Sequence, residues 1–526
     1  MALITGQDLI DAGYAPGPQF RELLAAAAKY EERGITDRDY VLKLLNKRHV
    51  PAPAKETMRE KGAPFTEAIA PKNAEEEVNV AAVRRQMTHL LRSPVLVRGA
   101  VMPDACPAGA GAAVIPVGGA IAARNAIIPS AHSADICCSM YATFYRSQDT
   151  VGKELDALVS ATRFGMGGRR PDDLAYHPVI EEEVWGNCFL CGLRESARIH
   201  LADQGDGNHF AYLGEVRLDA VRLDALRGAG YGEIAEALAG KAGPGQAGAE
   251  SESEARTYRV LVTHHGSRGL GARLYKRGQI AATKHTARVA QGIPSAAAWL
   301  DAASEEGAAY WEALQYVARW TRANHEAIHR RFLEKTGAQA AAEFGNEHNF
   351  VWKDGDIYLH GKGATPAWRD ERGRPLLGLI PLNMAAPILI VLGGNNDEFL
   401  SFAPHGAGRN VSRTALKRRF PDEASRLRTI AESTEGIDVR WFCGQPDLSE
   451  TPVAYKDAED VRAQIEQFGL AEVVAEIRPL GCIMAGEYEG PAPWMRREEE
   501  LTPKQKRQME HRAGRRRNRR ELRGEF

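Results

Sequence analysis

No stretch of this 526-residue sequence approaches the roughly 18 consecutive apolar residues that a membrane-spanning helix requires. The opening residues, MALITGQDLIDAG, lack the basic and apolar segments of a secretory signal. Seven cysteines, an odd number scattered along a long chain, do not make a disulfide framework. A soluble, cytoplasmic protein of a reducing compartment is therefore expected, with no membrane partner, and an important cysteine is a ligand or a nucleophile. Net charge is lacking as well: 68 Lys and Arg against 69 Asp and Glu leave -1, so only the local distribution of charge bears on partners. There is no internal repeat of fixed period, and the G-x-x-x-x-G-K-S/T spacing of a Walker loop is absent. What is present is a globular composition, 44% hydrophobic and 26% charged, at a length suited to one large catalytic core with additions.

Three regions follow from composition. Residues 1–62 read as a helical N-terminal module: Phe20, Leu23, Leu24, Ala27 and Tyr30 recur at helical spacing up to Gly34, and Asp37 opens a second apolar run through Leu45. Residues 50–75, which overlap its end, are rich in Pro, Ala and charge and read as linker. Residues 63–490 form the catalytic region, broken near 240–257 by a Gly, Ala and Ser rich surface loop. Residues 491–526 form a tail ending in an arginine cluster, either a solvated solubilising segment or a contact for nucleic-acid phosphates.

Chemistry concentrates in short polar motifs that follow strand-like runs, where rigid strands hold loops in place. Asp135 and Cys138 lie in Ser133-Ala134-Asp135-Ile136-Cys137-Cys138, a carboxylate and a thiolate able to face one borderline divalent cation. Asn208 and His209 stand in Gly205-Asp206-Gly207-Asn208-His209-Phe210. The run Val260-Leu261-Val262-Thr263 leads straight into His264, His265, Gly266, Ser267 and Arg268, where the arginine holds a neighbouring imidazole in its neutral, ligating form and suits a phosphate. His348 and Asn349 follow, then Lys362 in a Gly-Lys-Gly turn that can present an ammonium to an anion. Pro387–Gly394 reads as a buried strand. Beyond it, His405 lies between Pro404 and Gly406, which keeps it out of a helix and displays it on a loop beside Arg409. An exposed imidazole next to a cation is what nucleophilic attack on phosphorus needs. Cys188 and Cys191 form a lone C-x-x-C better read as packing than as zinc, and Trp311, Trp320, Trp352 and the Ala-rich helices near 281–335 read as scaffold.

The motifs MPDAC, VIPVGGAI, SADICCSM, GDGNHF, HHGSRGLG, HNF, HGKGAT, PLNM, HGAGRNVSR and AYKD, in this order over about residues 95–486, resemble those of the RtcB-type RNA ligase family. The resemblance implies an α+β fold with a metal and nucleotide cleft. It also implies joining of 2′,3′-cyclic phosphate or 3′-phosphate RNA ends to 5′-hydroxyl ends, in RNA repair or tRNA splicing, with two manganese ions and GTP through a covalent histidine–GMP intermediate. By the same resemblance Asp135, Cys138, His209, His264 and His348 are metal ligands, and His405 is the nucleophile. Asn208, Phe210, Arg268, Asn349, Lys362, Asn383, Arg409 and Tyr455 then line the nucleotide, with Tyr455 near the base. RNA would be the partner, with an archease-like activator as a further one. The segment ITGQDLIDAGYAPGPQFRELL resembles part of the nucleotidyltransferases that mature tRNA ends, a hint of RNA contact beside the plain reading of a docked helical hairpin.

Several positions depart from the family pattern. D-I-G-C-G is here Asp135-Ile136-Cys137-Cys138-Ser139, so two cysteines compete for one ligand role, and spacing favours Cys138. His265 replaces a serine, which leaves His264 and His265 as alternatives. Tyr212 stands where a guanine-reading glutamate is expected, Asn383 replaces a serine, and Ile483-Met484-Ala485-Gly486 lacks the terminal lysine. A divergent paralogue is expected. Its alternatives are an end-processing or nucleotidylating enzyme that does not seal, and an RNA-binding module with a structural metal.

Overall fold

In a computed structural model, residues 2–14, 17–49, 55–109, 111–165, 167–240 and 255–488 are described. The arginine cluster of the tail and most of the 240–257 segment lie outside the described residues.

The β-branched run before His264 forms the strand Arg256–His265, buried along most of its length. It can be apolar on both sides because both sides are covered. Leu261, with Leu213 and Tyr145 of the neighbouring strands, faces the helices Arg268–Val289 and Glu305–Thr336. Val260 and Val262 face a second core with Met140, Tyr212, Leu379 and Ile390. This strand is central in a sheet ordered Leu377–Pro381, Ile388–Gly393, Ala471–Met484, Phe210–Leu218, Arg256–His265, Ser139–Tyr145 and Ala340–Glu347, with Asp438–Trp441 added beside Ala471–Met484. The buried strand expected near Pro387–Gly394 is thus present as Ile388–Gly393.

A second sheet is ordered Phe65–Glu67, Leu96–Cys106, Val117–Arg124, Ile357–Lys362 and Val351–Asp354. A short ladder joins Ala364–Pro366 to Phe402–Pro404. The protein is α+β, as the sequence implies.

The first helices are Gly6–Asp11, Gln19–Glu31 and Arg38–Arg48, the last capped by Asp37, whose carboxylate accepts from the Tyr40 N–H. They enclose a core of their own around Leu9, Leu23, Ala27, Val41 and Leu45. The linker reading of 50–75 does not hold for its described part. Phe65–Glu67 is a parallel strand on Leu96–Cys106, and Glu56 bridges to Ala290. One guanidinium nitrogen of Arg59, Nη2, faces the carbonyls of Ser93, Pro94 and Leu96. Charge and proline suggested a solvated chain, but these polar groups have fixed partners on the main body. Among the described residues no helix is long and apolar enough to cross a membrane.

Candidate metal and nucleotide site

Antiparallel pairing gathers the motifs at one edge of the large sheet. His209 immediately precedes Phe210–Leu218, Cys138 precedes Ser139–Tyr145, His264 lies at the end of Arg256–His265, and His348 follows Ala340–Glu347. Because neighbouring strands run in opposite directions, the starts of two and the ends of the other two coincide. Met140 and Phe210 both pair with His264, and Ser139 pairs with Glu347.

The side chains converge on one thiol. Cys138 Sγ lies 3.1 Å from His264 Nε2 and 3.5 Å from His209 Nε2. His264 Nε2 is 3.2 Å from His348 Nε2, and His209 Nε2 is 2.8 Å from Asp135 Oδ2. Two ligand sets result, Cys138 with His264 and His348, and Asp135 with Cys138 and His209, each with its ligand atoms within 4.8 Å of one another. Cys138 belongs to both. Cys137 is also buried but takes no part in either set; its backbone adopts φ 55°, where the family pattern has glycine. His265 is turned the other way and stacks on His325 at 3.5 Å.

Whether these residues fit a cation can be judged from their protons. His264 Nδ1 lies 3.2 Å from the Asn208 carbonyl, which only an N–H can satisfy. Burial, reinforced by the imidazoles of His209 and His405, pushes His264 down to about 3, so the ring is neutral and its Nε2 presents a lone pair. That lone pair faces the Cys138 sulfur and His348 Nε2. Burial, with His405 and His264, also holds His348 well below the ordinary histidine range, and its buried Nδ1 has no hydrogen-bond partner among the described residues. Burial and the Asp135 carboxylate push the Cys138 thiol up. Burial opposes ionisation of Asp135, yet His209 and Arg268 prevail and hold its carboxyl below the usual range. A cation between these ligand atoms would take the place of the protons that the thiol and His209 now supply, and would reverse the penalty on the thiolate. The residues fit a metal.

Close approach explains two glycines. A Cβ on Gly266 would fall 2.0 Å from Asp135 Oδ1, and one on Gly205, whose φ is 97°, would fall 2.0 Å from the Arg268 guanidinium. Arg268 Nη1 is 3.2 Å from His209 Nδ1, while its Nε is a buried donor with no partner among the described residues.

Beside the cluster lies a cavity of 440 Å³ whose lining includes Asn208, Phe210, Lys362, His405, Arg409 and Tyr455. His405, just beyond Phe402–Pro404, stands with its ring 4.8 Å from that of His348. Its Nδ1 is 2.6 Å from Oδ2 of the fully buried Asp104, and its Nε2 has no hydrogen-bond partner among the described residues. Lys456 donates to the carbonyls of Pro103 and Ala105 on either side of Asp104. Lys362 donates to the Ile115 carbonyl, and burial lowers its ammonium to about 8. Asn349 accepts from the Gly363 N–H.

One apolar section of the cavity differs in character. Phe210, Tyr212, Met384, Cys482 and Met484 line it. The Tyr212 hydroxyl donates to the Ile477 carbonyl, and the Asn383 side chain accepts from the Ala385 and Ala386 N–H groups. Arg409 is held by Ser449 and Glu450 and lies over the Tyr455 ring at 4.8 Å; Tyr455 in turn donates to Glu450. Arg409 and Tyr455 thus line the cavity as one braced unit, with Arg413 on the same carboxylate.

The family described as tRNA-splicing ligase RtcB matches residues 192–485, more than half of the sequence. The chain belongs to the RtcB family. It is similar to the RNA-splicing ligase RtcB of Mycobacterium tuberculosis, 32% identical over 247 residues, which cover 42% of this chain and 56% of that protein. It is 26% identical to the RNA-splicing ligase RtcB of Escherichia coli K12 over 440 residues, 77% of this chain and 94% of the relative. With the tRNA-splicing ligase RtcB of Aeropyrum pernix it shares 26% identity over 253 residues, 42% and 51% of the two chains. The chain therefore spans about half the length of its mycobacterial and archaeal relatives in those alignments. Asp135 and Cys138 precede the matched family segment, and it is geometry that joins them to its histidines.

Sequence reasoning about this RtcB-family chain passed over Asp104, although the MPDAC motif contained it, because its partner is 301 residues away. It also read Glu305–Thr336 as scaffold, whereas that helix carries buried His325 and His329.

Proposed function

We propose that this protein is a metal- and nucleotide-dependent RNA ligase of the cytoplasm, joining 3′-phosphate or 2′,3′-cyclic phosphate ends to 5′-hydroxyl ends. The observation that carries the reading is His405, held at Nδ1 by a buried carboxylate and presented beside the thiol–imidazole cluster. A metal structural in role would need neither His405 nor Asp104.

Asp135, Cys138 and His209 would hold one divalent ion, and Cys138, His264 and His348 a second. Bound there, two manganese ions would neutralise phosphoryl charge. His405 keeps its proton on Nδ1 against Asp104, so Nε2 is the attacking lone pair. In the first step Nε2 bonds to the α-phosphorus of GTP and pyrophosphate leaves. The nucleotidyl group then passes to an RNA 3′-phosphate oxygen, freeing His405. Attack by the 5′-hydroxyl on that activated phosphorus forms the phosphodiester and releases the nucleoside monophosphate; a cyclic phosphate must first be opened by water. Arg268 and Lys362 bring positive charge to phosphate oxygens, and Asn208 and Asn349 carry the backbone around them. Repair or splicing of RNA is the role this chemistry serves, with an archease-like activator and the arginine-rich tail as accessory RNA-handling elements.

The test is sealing. The full chain with manganese and GTP should convert a 3′-phosphate strand and a 5′-hydroxyl strand into one product resistant to phosphatase. Nucleotide transfer to the 3′-phosphate without joining would favour the non-sealing paralogue.

A further inference from the structure

The ligand-bearing edge of the large sheet is backed by the helix Glu305–Thr336, which carries, besides Thr321, the buried polar residues Asn324, His325 and His329. Thr321 is satisfied within the helix by the Val317 carbonyl and the other buried residues of this helix are apolar, aromatic or glycine, so Asn324, His325 and His329 need partners elsewhere. They have them. His325 Nε2 lies 3.0 Å from Ser139 Oγ, and its Nδ1 2.6 Å from Thr263 Oγ1. His329 Nε2 lies 2.8 Å from the same Thr263 Oγ1, and its Nδ1 2.7 Å from Thr143 Oγ1. Thr143 donates to Glu343.

Counting protons gives the chain one direction. A carboxylate only accepts, so the Thr143 hydroxyl proton goes to Glu343 and Thr143 must accept from His329 Nδ1–H. His329 Nε2 then accepts from Thr263, Thr263 accepts from His325 Nδ1–H, and His325 Nε2 accepts from Ser139. Each hydroxyl gives one proton and takes one, save Ser139 at the head. Each imidazole is neutral, in agreement with burial that pushes His329 down to about 3 and His325 well below its ordinary value. His265, stacked on His325, fixes the ring plane.

The anchored residues are the immediate chain neighbours of metal ligands. Ser139 follows Cys138, and Thr263 precedes His264. One imidazole thus ties together the two strands whose ligand atoms lie 3.1 Å apart on the opposite face. Asn324 does the same for the third segment: its Oδ1 accepts from the Asp203 N–H and its Nδ2 donates to the Asp203 carbonyl, at the base of the loop that ends in His209.

We propose that the helix Glu305–Thr336 is the rigid back wall of the metal centre, with His325 and His329 as positioning residues that set the separation of Cys138 and His264. The inference rests on the reading of that cluster as a metal centre. Residues that orient ligands without touching the ion commonly govern affinity by about 10- to 100-fold.

The test uses cobalt(II) added to the metal-stripped full chain. Wild-type protein should develop a sulfur-to-cobalt charge-transfer band as the site fills. His325→Phe removes both hydrogen bonds and should weaken cobalt binding by about 10- to 100-fold and displace the band. His325→Gln, whose amide can accept from Ser139 and donate to Thr263, should restore both towards wild type. A purely structural role would lower the melting temperature and leave the cobalt band and affinity unchanged, and that result in folded His325→Phe overturns the proposal. If His325→Phe does not fold, Thr263→Val, which removes the central hydroxyl at nearly constant shape, decides on the same two readouts. Failure of the wild-type chain itself to bind cobalt would instead overturn the metal reading.

Discussion

Oδ2 of Asp104 lies 2.6 Å from Nδ1 of His405, and the aspartate is fully buried. The contact fixes which nitrogen of His405 carries the proton and which faces the cavity. Asp104→Asn can offer an amide N–H to Nδ1 and so favour the wrong tautomer. We expect it to slow nucleotidyl transfer by about 10²- to 10⁴-fold while leaving metal content unchanged. Single-turnover labelling alongside metal analysis checks both.

Cys138 belongs to both ligand sets and Cys137 to neither. Cys138→Ala should therefore lose both ions, counted by elemental analysis, whereas Cys137→Ala should keep them. The reverse pattern would place the ligand one residue earlier than the geometry does.

An apolar section of the cavity is built from Phe210, Tyr212, Met384, Cys482 and Met484, and the Tyr212 hydroxyl and the Asn383 side-chain oxygen are engaged by the backbone. Strong base discrimination, of about 10⁴-fold or more, needs buried polar readers left unpaired by the wrong base. We expect the preference for GTP over ATP to fall below about 10²-fold, measured by competition for labelling in the presence of manganese.

Two buried histidines outside the ligand sets report on pH. His360 donates from Nδ1 to the Tyr358 carbonyl and accepts at Nε2 from the Ile128 N–H; burial pushes it down to about 3. His132 donates to the Ser133 carbonyl and accepts from Tyr310, and burial pushes it down to about 4. Their folded values lie below the unfolded 6.5, so the unfolded chain binds protons first as pH falls. Their contribution is intact above about pH 6.5 and is lost progressively towards pH 4 and below. Urea unfolding at pH 7.5 and pH 4.5 should show this loss, and His360→Gln should make it smaller.

The ligand loops were legible in the sequence because each adjoins a strand-forming run, so that His264, His209 and His348 had to emerge at strand ends. Their convergence on Cys138 was implied by the family resemblance and not by the residues alone, since it depends on strand pairing that joins segments 71 and 126 residues apart. Asp104 sits inside a strand with no mark of its own, and only the fold brings it to His405. His325 and His329 looked like part of an Ala-rich scaffold because their spacing of four is also that of a packed helix face. Residues 50–75 read as linker because composition does not reveal that the Arg59 guanidinium has three carbonyl partners.

The most direct test of the account is covalent labelling. The full chain, incubated with manganese and α-labelled GTP, should retain label on His405 in an acid-labile, alkali-stable bond, as a phosphorus–nitrogen linkage requires. Wild-type protein labelled at His405, and His405→Ala unlabelled with its metal content intact, is the predicted result. Absence of label with every nucleoside triphosphate, in protein carrying its metal, would contradict it.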